Sequence, residues 1–494
     1  MPCFHHRGVD RYAVVAGAAV CLGAVCLGIV LAGCDRKTES DVSTAPQAKP
    51  SPMRVVVVAD EPFAAVLERQ WKARLENELE LQQMSIAEVE SARQLQADLL
   101  FFPSACLGTL VEHDLLAVPS PEALSDDQYA PRDLFEIQRR VEVRWGQQLY
   151  AFSFGSPHLV LMYRADLFDQ LKLPVPRTWS EYATLLPRLA RDQLGAAAPS
   201  ADRPWTATIE PLSEGWGAKV LLARAAAYAA HPSQFSTLFD YETMQPLIAG
   251  PPFVRALDEL VAVAQTSPED FGQYTPEAAR RAFLAGASGM VLSWPSRATT
   301  DNQPLPLAVG VQAGFAELPG SDTVYNFGEQ VWTPCDDDKT SRHVPLTALA
   351  GRLAAVGKDV RRPREAAGIL ALLSGPEWSA RISALSPATT LFRQSHVRSP
   401  ELWTDEALPR EASVRYAEVA RDSQSQPSSM ASLRIPGWQR YLAALDQAVH
   451  DARTGAKSTA DALQDAVTAW DAITRELGVD TQKAAYMRSL GLEP

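Results

Sequence analysis

Apolar and polar residues follow one another along the chain in a strand–helix–strand order. Residues 54–59 read RVVVVA, a continuous β-branched run that is typical of a strand buried on both faces. Asp60 and Pro62 favour a helix start directly after it, because a carboxylate accepts free N–H groups and proline fits the first turn. Residues 97–102 (ADLLFF) predict another buried strand, which ends before Pro103. Strands and helices in this alternation predict a parallel α/β sheet.

The middle of the chain contains an unusual stretch, residues 150–163 (YAFSFGSPHLVLMY), in which two apolar strands meet at Gly155. This break is compatible with a β-hairpin and equally with a chain that passes from one lobe to another. Further strands are predicted at 288–294 and 352–356, and an amphipathic helix with a capping box begins near Ser458. With 494 residues, the chain is long enough for two or three domains.

The N-terminus has the pattern of a targeting segment. Residues 12–32 carry no charge and are long enough either to span a bilayer or to form a long secretory apolar region. The sequence at 31–34, Leu-Ala-Gly-Cys, resembles a bacterial lipobox, which implies a signal peptide over 1–33 and lipidation of Cys34. The alternative is an uncleaved anchor helix, and both interpretations place the body outside the cytoplasm. Residues 34–52 are polar and predict a disordered tether.

The composition excludes several classes of protein. The chain is 46% apolar and 21% charged, which excludes a wholly disordered, collagen-like or coiled-coil protein. A net charge of −13 without a basic stripe argues against nucleic-acid binding. The body has two cysteines, Cys106 and Cys335, which form no CxxC motif. They either pair in an oxidising compartment or stay as two buried thiols.

Motifs for catalysis and metal binding are missing from the sequence. It contains no G-x-S-x-G, H-E-x-x-H or G-x-x-x-x-G-K-[ST] motif, and no pair of histidines at metal-ligand spacing. The acidic run 336–338 lacks the spacing of a calcium loop and is interpreted as a solvated turn. We therefore expect no enzyme activity, cofactor or metal. A secreted carbohydrate-active enzyme stays open as an alternative, because its paired carboxylates need not be close in sequence.

Several segments together resemble one family. Residues 150–182 resemble its crossover into the second lobe, and residues 283–295 (FLAGASGMVLSWP) resemble its return crossover. Other similar segments, in the family's order, are 97–119, 363–378, 435–449 and 457–473. On these segments the chain resembles the family 1 extracellular solute-binding proteins, which are receptors of bacterial carbohydrate ABC importers related to maltose-binding protein.

The resemblance implies a periplasmic-binding-protein type II fold, with two α/β lobes, a hinge and a ligand cleft between the lobes. It implies the following division of the chain: 53–153 plus 296–346 in lobe 1, 154–295 plus 347–434 in lobe 2, and 435–494 as C-terminal helices packed on the lobes. It also implies that the lobes close on the ligand.

Candidate ligand residues are taken from strand ends, helix starts and crossovers, where ligands of open α/β sheets bind. Aromatic side chains are included because a sugar offers apolar C–H faces together with hydroxyl groups. Trp294 is the first choice among the tryptophans by position, followed by Trp216 between two glycines, Trp332 and Trp438. The predicted ligand-binding set is Glu61, Phe63, Phe102, Ser104, Phe154, Ser156, Trp216, Trp294, Arg297, Trp332 and Arg352.

These observations predict an extracytoplasmic solute-binding lipoprotein. It is expected to capture a small solute, most plausibly a sugar or oligosaccharide, and to deliver it as a monomer to the transmembrane subunits of an ABC permease. Membrane attachment is expected through lipid on Cys34, with no nucleic-acid partner. A tethered receptor that reports ligand to a membrane signalling protein is the alternative, since its lobes would close in the same way.

Overall fold

The computed structural model describes residues 51–75, 78–265, 272–335 and 342–493. The predicted signal peptide, Cys34, nearly all of the tether and the acidic run 336–338 lie outside these residues. Within the described ranges, no helix combines the length and the apolar character needed to cross a membrane.

The elements alternate between strand and helix over most of the chain. The strands are β1 (Met53–Val58), β2 (Leu79–Met84), β3 (Leu99–Pro103), β4 (Arg144–Trp145), β5 (Gln148–Leu149), β6 (Ala151–Ser153), β7 (Val160–Arg164), β8 (Thr206–Ile209), β9 (Ser288–Ser293), β10 (Ala313–Glu317), β11 (Thr323–Asn326), β12 (Val331–Pro334), β13 (Leu346–Thr347), β14 (Arg352–Val356) and β15 (Met430–Ala431). The helices are α1 (Glu61–Arg74), α2 (Ile86–Ser91), α3 (Leu107–Glu112), α4 (Pro121–Leu124), α5 (Ala165–Leu171), α6 (Trp179–Arg188), α7 (Gly217–Ala229), α8 (Pro251–Gln265), α9 (Pro276–Leu284), α10 (Pro363–Ser374), α11 (Pro376–Ile382), α12 (Arg410–Ser423), α13 (Trp438–Arg453), α14 (Thr459–Leu477) and α15 (Val479–Ser489).

The first lobe is built on a five-stranded sheet in the order β2–β1–β3–β14–β6. Its central strands are apolar on both faces because helices cover both sides, as the run at 54–59 predicts. Strands β1, β2 and β3 are parallel, whereas β14 runs antiparallel to both β3 and β6. The prediction of a parallel sheet is therefore confirmed for three strands and wrong for β14.

The second lobe is built on a four-stranded sheet in the order β10–β7–β9–β8. Strand β7 is antiparallel to both of its neighbours, and β8 is parallel to β9. Helix α6 begins at Thr178, whose side chain accepts a hydrogen bond from the N–H of Glu181 in a capping box. Helices α7, α8 and α13 pack together on this lobe.

Two segments link the strands of the two sheets, and a third stretch, between α11 and α12, leads back to the second lobe. Residues 154–159 lead from β6 in the first sheet to β7 in the second, so the stretch at 150–163 is a passage between lobes and not a hairpin. The chain returns to the first sheet at 348–351, between β13 and β14. Farther along, α12 packs on β10 of the second lobe.

The predicted return crossover and part of the predicted division are wrong. Residues 283–295 do not lead back to the first lobe, because β9 and β10 pair with opposite edges of β7. The Trp–Pro pair after β9 instead begins the connection to β10, which lies on the other side of β7. Consequently β10, assigned within 296–346 to lobe 1, belongs to the second sheet, and β14, assigned within 347–434 to lobe 2, belongs to the first.

The last helix touches both lobes. On the first lobe, the Arg488 guanidinium donates two hydrogen bonds to the carboxylate of Glu112. On the second lobe, the Tyr486 hydroxyl lies 3.0 Å from that of Ser236. Helix α15 therefore braces the two lobes at a place remote in sequence from both crossovers.

Candidate functional site

The strand ends of both lobes converge on one cleft. In the first lobe, the carboxyl ends of β1, β3 and β6 and the start of β14 lie at one edge of the sheet. In the second lobe, Val160 at the start of β7 pairs with Ser293 at the end of β9. Because residues 154–159 join the end of β6 directly to the start of β7, the two edges face each other. Ligands of α/β folds bind at such edges.

Two tryptophans meet at the second-lobe edge. The ring centroids of Trp216 and Trp294 lie 5.8 Å apart, with a 42° angle between the planes. Trp294 is only 4% exposed, and its indole N–H has no acceptor among the described residues. Trp216 is partly exposed and lines the cleft, so Trp294 stands behind it as a support. The two tryptophans ranked first in the sequence analysis thus lie side by side. Trp216, ranked second, faces the cleft, whereas Trp294, ranked first, is buried behind it.

The cleft has a volume of about 750 Å³, which suits a small ligand. Helix α7 and the loop before it contribute Trp216 and Lys219, and α13 contributes Trp438 and Asp446. Ile86 of α2 contributes from the first lobe. The cleft therefore combines aromatic and charged side chains and is bounded by both lobes.

The position of Trp216 is fixed by a carboxylate from another helix. Trp216 precedes α7 and offers no capping oxygen of its own. The Asp446 carboxylate instead accepts hydrogen bonds from the N–H groups of Gly215 at 3.0 Å and Ala218 at 2.9 Å. Gly215 has φ of +80°, which a side chain disfavours. Asp446 thus holds the turn that presents the aromatic ring.

Lys219 lines the cleft and was not among the residues predicted from the sequence. Its ammonium lies 4.4 Å from the ring centroid of Trp216. Burial lowers the pKa of Lys219 to about 8, Asp446 opposes this shift, and the positive charge of Arg352 adds to it. The signal in the sequence was its spacing, because a residue three positions after Trp216 lies on the same face of a helix.

Arg352 was predicted to bind ligand, but the protein itself occupies its guanidinium. Its Nε donates to Asp60 at 2.7 Å, and another of its nitrogens donates to the carbonyl of Ala59 at 2.9 Å. Asp60 also caps α1 by accepting from the N–H of Phe63 at 3.0 Å. Arg352 therefore ties the returning crossover to the end of β1.

Ser156, also predicted to bind ligand, instead forms hydrogen bonds between the segments that link the two lobes. Its hydroxyl donates to the carbonyl of Ala350 at 2.9 Å and to Glu142 at 3.2 Å. The Glu142 carboxylate accepts in addition from the N–H of Ala348 at 2.8 Å. Burial raises the pKa of the Glu142 carboxyl. Ser156 and Glu142 thus join the two crossovers. Ser104, which was also predicted to bind ligand, is fully buried beside Glu142.

The three predicted phenylalanines lie in the core of the first lobe. Phe63, Phe102 and Phe154 are completely buried. The rings of Phe63 and Phe154 pack around that of Phe101, at 5.3 and 5.1 Å. The structure does not bring these side chains to the cleft, because positions at the ends of buried strands still point into the core.

The remaining predicted residues are scattered. Glu61 is exposed at the first position of α1, and Arg297, 35% exposed, lies 3.6 Å from Glu406. Trp332, 37% exposed, packs with its ring 6.0 Å from that of Tyr228. Tyr228 is at the far end of α7 from Trp216, about 18 Å away at 1.5 Å per residue. Trp332 is therefore not part of the cleft.

No protein-family model and no curated protein matches the chain. Solved structures match over nearly its whole length. A solute-binding protein of an ABC transporter from Agrobacterium radiobacter K84, in complex with ribitol, is 17% identical, with a TM-score of 0.61 and coverage of 86% of this chain and 99% of that one. One from Agrobacterium vitis S4 with D-mannitol is 17% identical, with a TM-score of 0.60 over 87% and 99%. Maltose-bound MalE3 of T. maritima is 16% identical, with a TM-score of 0.60 over 85% and 100%.

The chain has the solute-binding-protein fold. The two-lobed architecture with an interlobe cleft, expected from the resemblance, is thereby confirmed. The cleft lined by Trp216 lies where the strand ends of the two lobes face each other.

Among the described residues, no three histidine, cysteine, aspartate or glutamate side chains are arranged to hold a metal ion. Cys106 and Cys335 do not pair with each other, and the Cys335 thiol donates a hydrogen bond to the carbonyl of Ser321. Burial raises the pKa of the Cys106 thiol, so it is a packed side chain and not a reactive one.

Proposed function

We propose that the chain captures a saccharide or polyol in the interlobe cleft and delivers it, as an extracytoplasmic lipoprotein anchored through Cys34, to an ABC permease. The observation that carries this proposal is the pairing of Trp216 with Trp294 at the cleft. Related folds from other bacteria are recorded with ribitol, D-mannitol and maltose bound. The lipobox resemblance and the uncharged leader support the anchor.

The cleft has the chemistry that a sugar needs. The exposed face of an aromatic ring packs against the apolar C–H groups of a sugar ring. Trp294 packs behind Trp216 and supports the ring that faces the cleft. Lys219 and Trp438 provide further polar contacts around the same cavity. Recognition of this kind requires binding groups only, with no bond made or broken.

Ligand binding is expected to favour lobe closure. The backbone passes between the two sheets at the crossovers 154–159 and 348–351, and Glu142 forms hydrogen bonds with both. A ligand that contacts both lobes stabilises the closed arrangement by its difference in affinity for the two states. Closure then distinguishes the loaded receptor from the empty one for the permease.

A thermal-shift screen of the full chain tests the proposal. The purified protein is heated with monosaccharides, oligosaccharides, polyols, amino acids and polyamines, since a ligand that binds only the folded state raises the melting temperature. The proposal predicts a rise with a saccharide or polyol, and mass spectrometry should recover that ligand intact. A cleaved sugar, or a rise with amino acids or polyamines alone, would contradict it.

Anchoring and delivery need separate measurements. The intact mass of the mature protein should equal that of residues 34–494 plus acyl chains, and Cys34→Ser should abolish the addition. Uptake of the labelled ligand by the host should fall when the chain is deleted. Binding without any loss of uptake would contradict delivery and favour a sensing receptor.

A further inference from the structure

The Lys219 ammonium forms no ion pair and no hydrogen bond with the described residues of the cleft. Among the described residues, no carboxylate lies within the 4.0 Å distance of an ion pair to it, and no hydrogen-bond acceptor is in reach. The ammonium lies over the ring face of Trp216, 4.4 Å from the ring centroid. The ammonium is not fully buried and stays open to the cleft, where an acceptor on a ligand can reach it. Such a group at a ligand cleft indicates that the ligand supplies the acceptor.

The neighbouring carboxylates are already engaged. The two oxygens of Asp446 accept hydrogen bonds from the N–H groups of Gly215 and Ala218. Asp60 is paired with Arg352 at 2.7 Å. Both carboxylates are therefore held in place by contacts within the protein, and neither forms an ion pair with Lys219.

Groups of both signs surround Lys219, because the Asp446 carboxylate favours its ammonium form and Arg352 opposes it. The N-terminus of α7, a helix of 13 residues, carries the positive end of the helix dipole next to Trp216. Arg352, at the crossover of the first lobe, acts on Lys219 as a like charge. The charge of Arg352 is already balanced by Asp60, so Lys219 is the cation of the two that lacks a direct partner among the described residues. A ligand carboxylate at hydrogen-bond distance from its ammonium adds an ion pair that an uncharged ligand does not.

Resting on the proposed function, we propose that the cleft selects acidic saccharides, with a ligand carboxylate on the Lys219 ammonium and the sugar C–H groups against Trp216. Lys219 is then the residue that determines specificity for charge, while the tryptophan pair recognises the sugar itself. The chemical class is that of uronic acids, aldonic acids and oligosaccharides that contain them.

Matched pairs of ligands test this proposal by calorimetric titration of the full chain at low salt. Each pair differs in one carboxylate, as in glucuronate against glucose and galacturonate against galactose. The acidic member of the recognised pair should bind at least about tenfold more tightly, the effect of one charged hydrogen bond. Raising the salt concentration should reduce this preference, because exposed charges are screened.

Variants of Lys219 separate its role in charge recognition from a structural role. Lys219→Gln should weaken binding of the acidic ligand at least about tenfold more than binding of its neutral partner, whereas Lys219→Arg should keep most of the preference. Lys358→Gln is the matched control, because Lys358 is exposed, pairs with Asp114 and follows the opposite end of β14 from the cleft. Melting curves of each variant confirm folding.

The affinity for the acidic ligand should also depend on pH. Binding needs the ammonium form of Lys219, so it should weaken as the pH rises from 7 towards 9.5 and binding becomes coupled to proton uptake. The neutral ligand should show no such change. The charged or titratable groups around Lys219 at the cleft are Asp446, Arg352, Glu214, His450 and Arg453.

The outcomes distinguish this proposal from the function on which it rests. A neutral saccharide that binds as tightly as its acidic partner overturns the charge selectivity and leaves saccharide capture intact. Equal losses for both ligands in Lys219→Gln show a structural role and overturn the proposal. Binding of carboxylates that are not sugars, with no saccharide bound, keeps the role of Lys219 and overturns saccharide capture, while binding of no ligand at all overturns both.

Discussion

Trp216 and Trp294 place their indole rings 5.8 Å apart at the edge where the second lobe faces the first. Trp294 follows the end of β9, and Trp216 precedes α7 in the loop after β8. Because β8 and β9 are parallel neighbours, their carboxyl ends bring these two residues together. The pair thus arises from strand order, and Asp446 fixes the turn that exposes Trp216 to the cleft.

The buried ion pair between Arg352 and Asp60 should be important for stability. Arg352→Met removes the cation and leaves the buried Asp60 carboxylate with a hydroxyl donor from Ser386 and its capping contact but no counter-charge. Breaking a buried pair from one side costs about 3–5 kcal/mol of the free energy of unfolding. Urea unfolding of the full chain, followed by circular dichroism, measures the loss.

Arg297→Met is the matched control for that experiment. Arg297 is partly exposed and lies 3.6 Å from an exposed Glu406, so its loss should cost less than about 1 kcal/mol. Equal effects of the two substitutions would contradict the structural role given to Arg352.

The return crossover should not tolerate a side chain at Gly351. This glycine has φ of +104°, and a Cβ there would lie 2.5 Å from the Oγ of Ser156. Gly310 has φ of +83° and open space around a Cβ, so Gly310→Ala reports the backbone strain alone, about 1–2 kcal/mol. Gly351→Ala should lower the free energy of unfolding by about 1–3 kcal/mol more than Gly310→Ala, because of overpacking. Equal losses in urea unfolding would show that the crossovers have room to move apart.

His158 should make the protein sensitive to acid. It lies buried in the crossover at 154–159, its ring nitrogens have no partner among the described residues, and burial lowers its pKa to about 4. The folded state therefore binds the proton less readily than the unfolded state, whose histidine titrates near 6.5. Stability is complete above pH 6.5 and falls as the pH drops from 6.5 towards 4, by up to about 3 kcal/mol.

His158→Leu should remove that part of the pH dependence. His450→Leu is the control, because His450 is exposed on α13. Burial also lowers the pKa of His396, whose contribution to acid sensitivity is the same in every variant. The difference between wild type and His158→Leu therefore isolates the contribution of His158. The measurement is the melting temperature from pH 7.5 to pH 4.5, and parallel curves for wild type and His158→Leu would contradict the account.

Local sequence predicted the elements of the fold well, since their causes are local. The valine run of β1, the capping aspartate at Asp60 and the capping box at Thr178 depend on neighbours within a few residues. Sheet order depends on pairing between distant segments, which is why β10 and β14 were assigned to the wrong lobes. The resemblance to the family predicted two lobes and a hinge. It did not predict to which sheet, and at which edge of that sheet, each strand belongs.

The site was predictable only in part. Trp216 and Trp294 were found because strand ends and glycine-flanked aromatics are recognisable in sequence. Arg352 was misassigned because its partner, Asp60, is 292 positions away, and nothing local reveals that pairing. Lys219 was missed because its lack of a partner is a property of the packed cleft.

The central claim is that a ligand binds against Trp216 in the interlobe cleft. The most direct test is a calorimetric titration of the full chain with the saccharide found by the thermal-shift screen, for Trp216→Ala and for Trp332→Ala. Loss of an aromatic contact at the centre of a binding site costs 2 kcal/mol or more, so Trp216→Ala should weaken binding by at least about thirtyfold. Trp332 packs at the other end of α7, and its substitution should leave the affinity unchanged. Unchanged affinity in Trp216→Ala, in a protein that still melts cooperatively, would contradict the account.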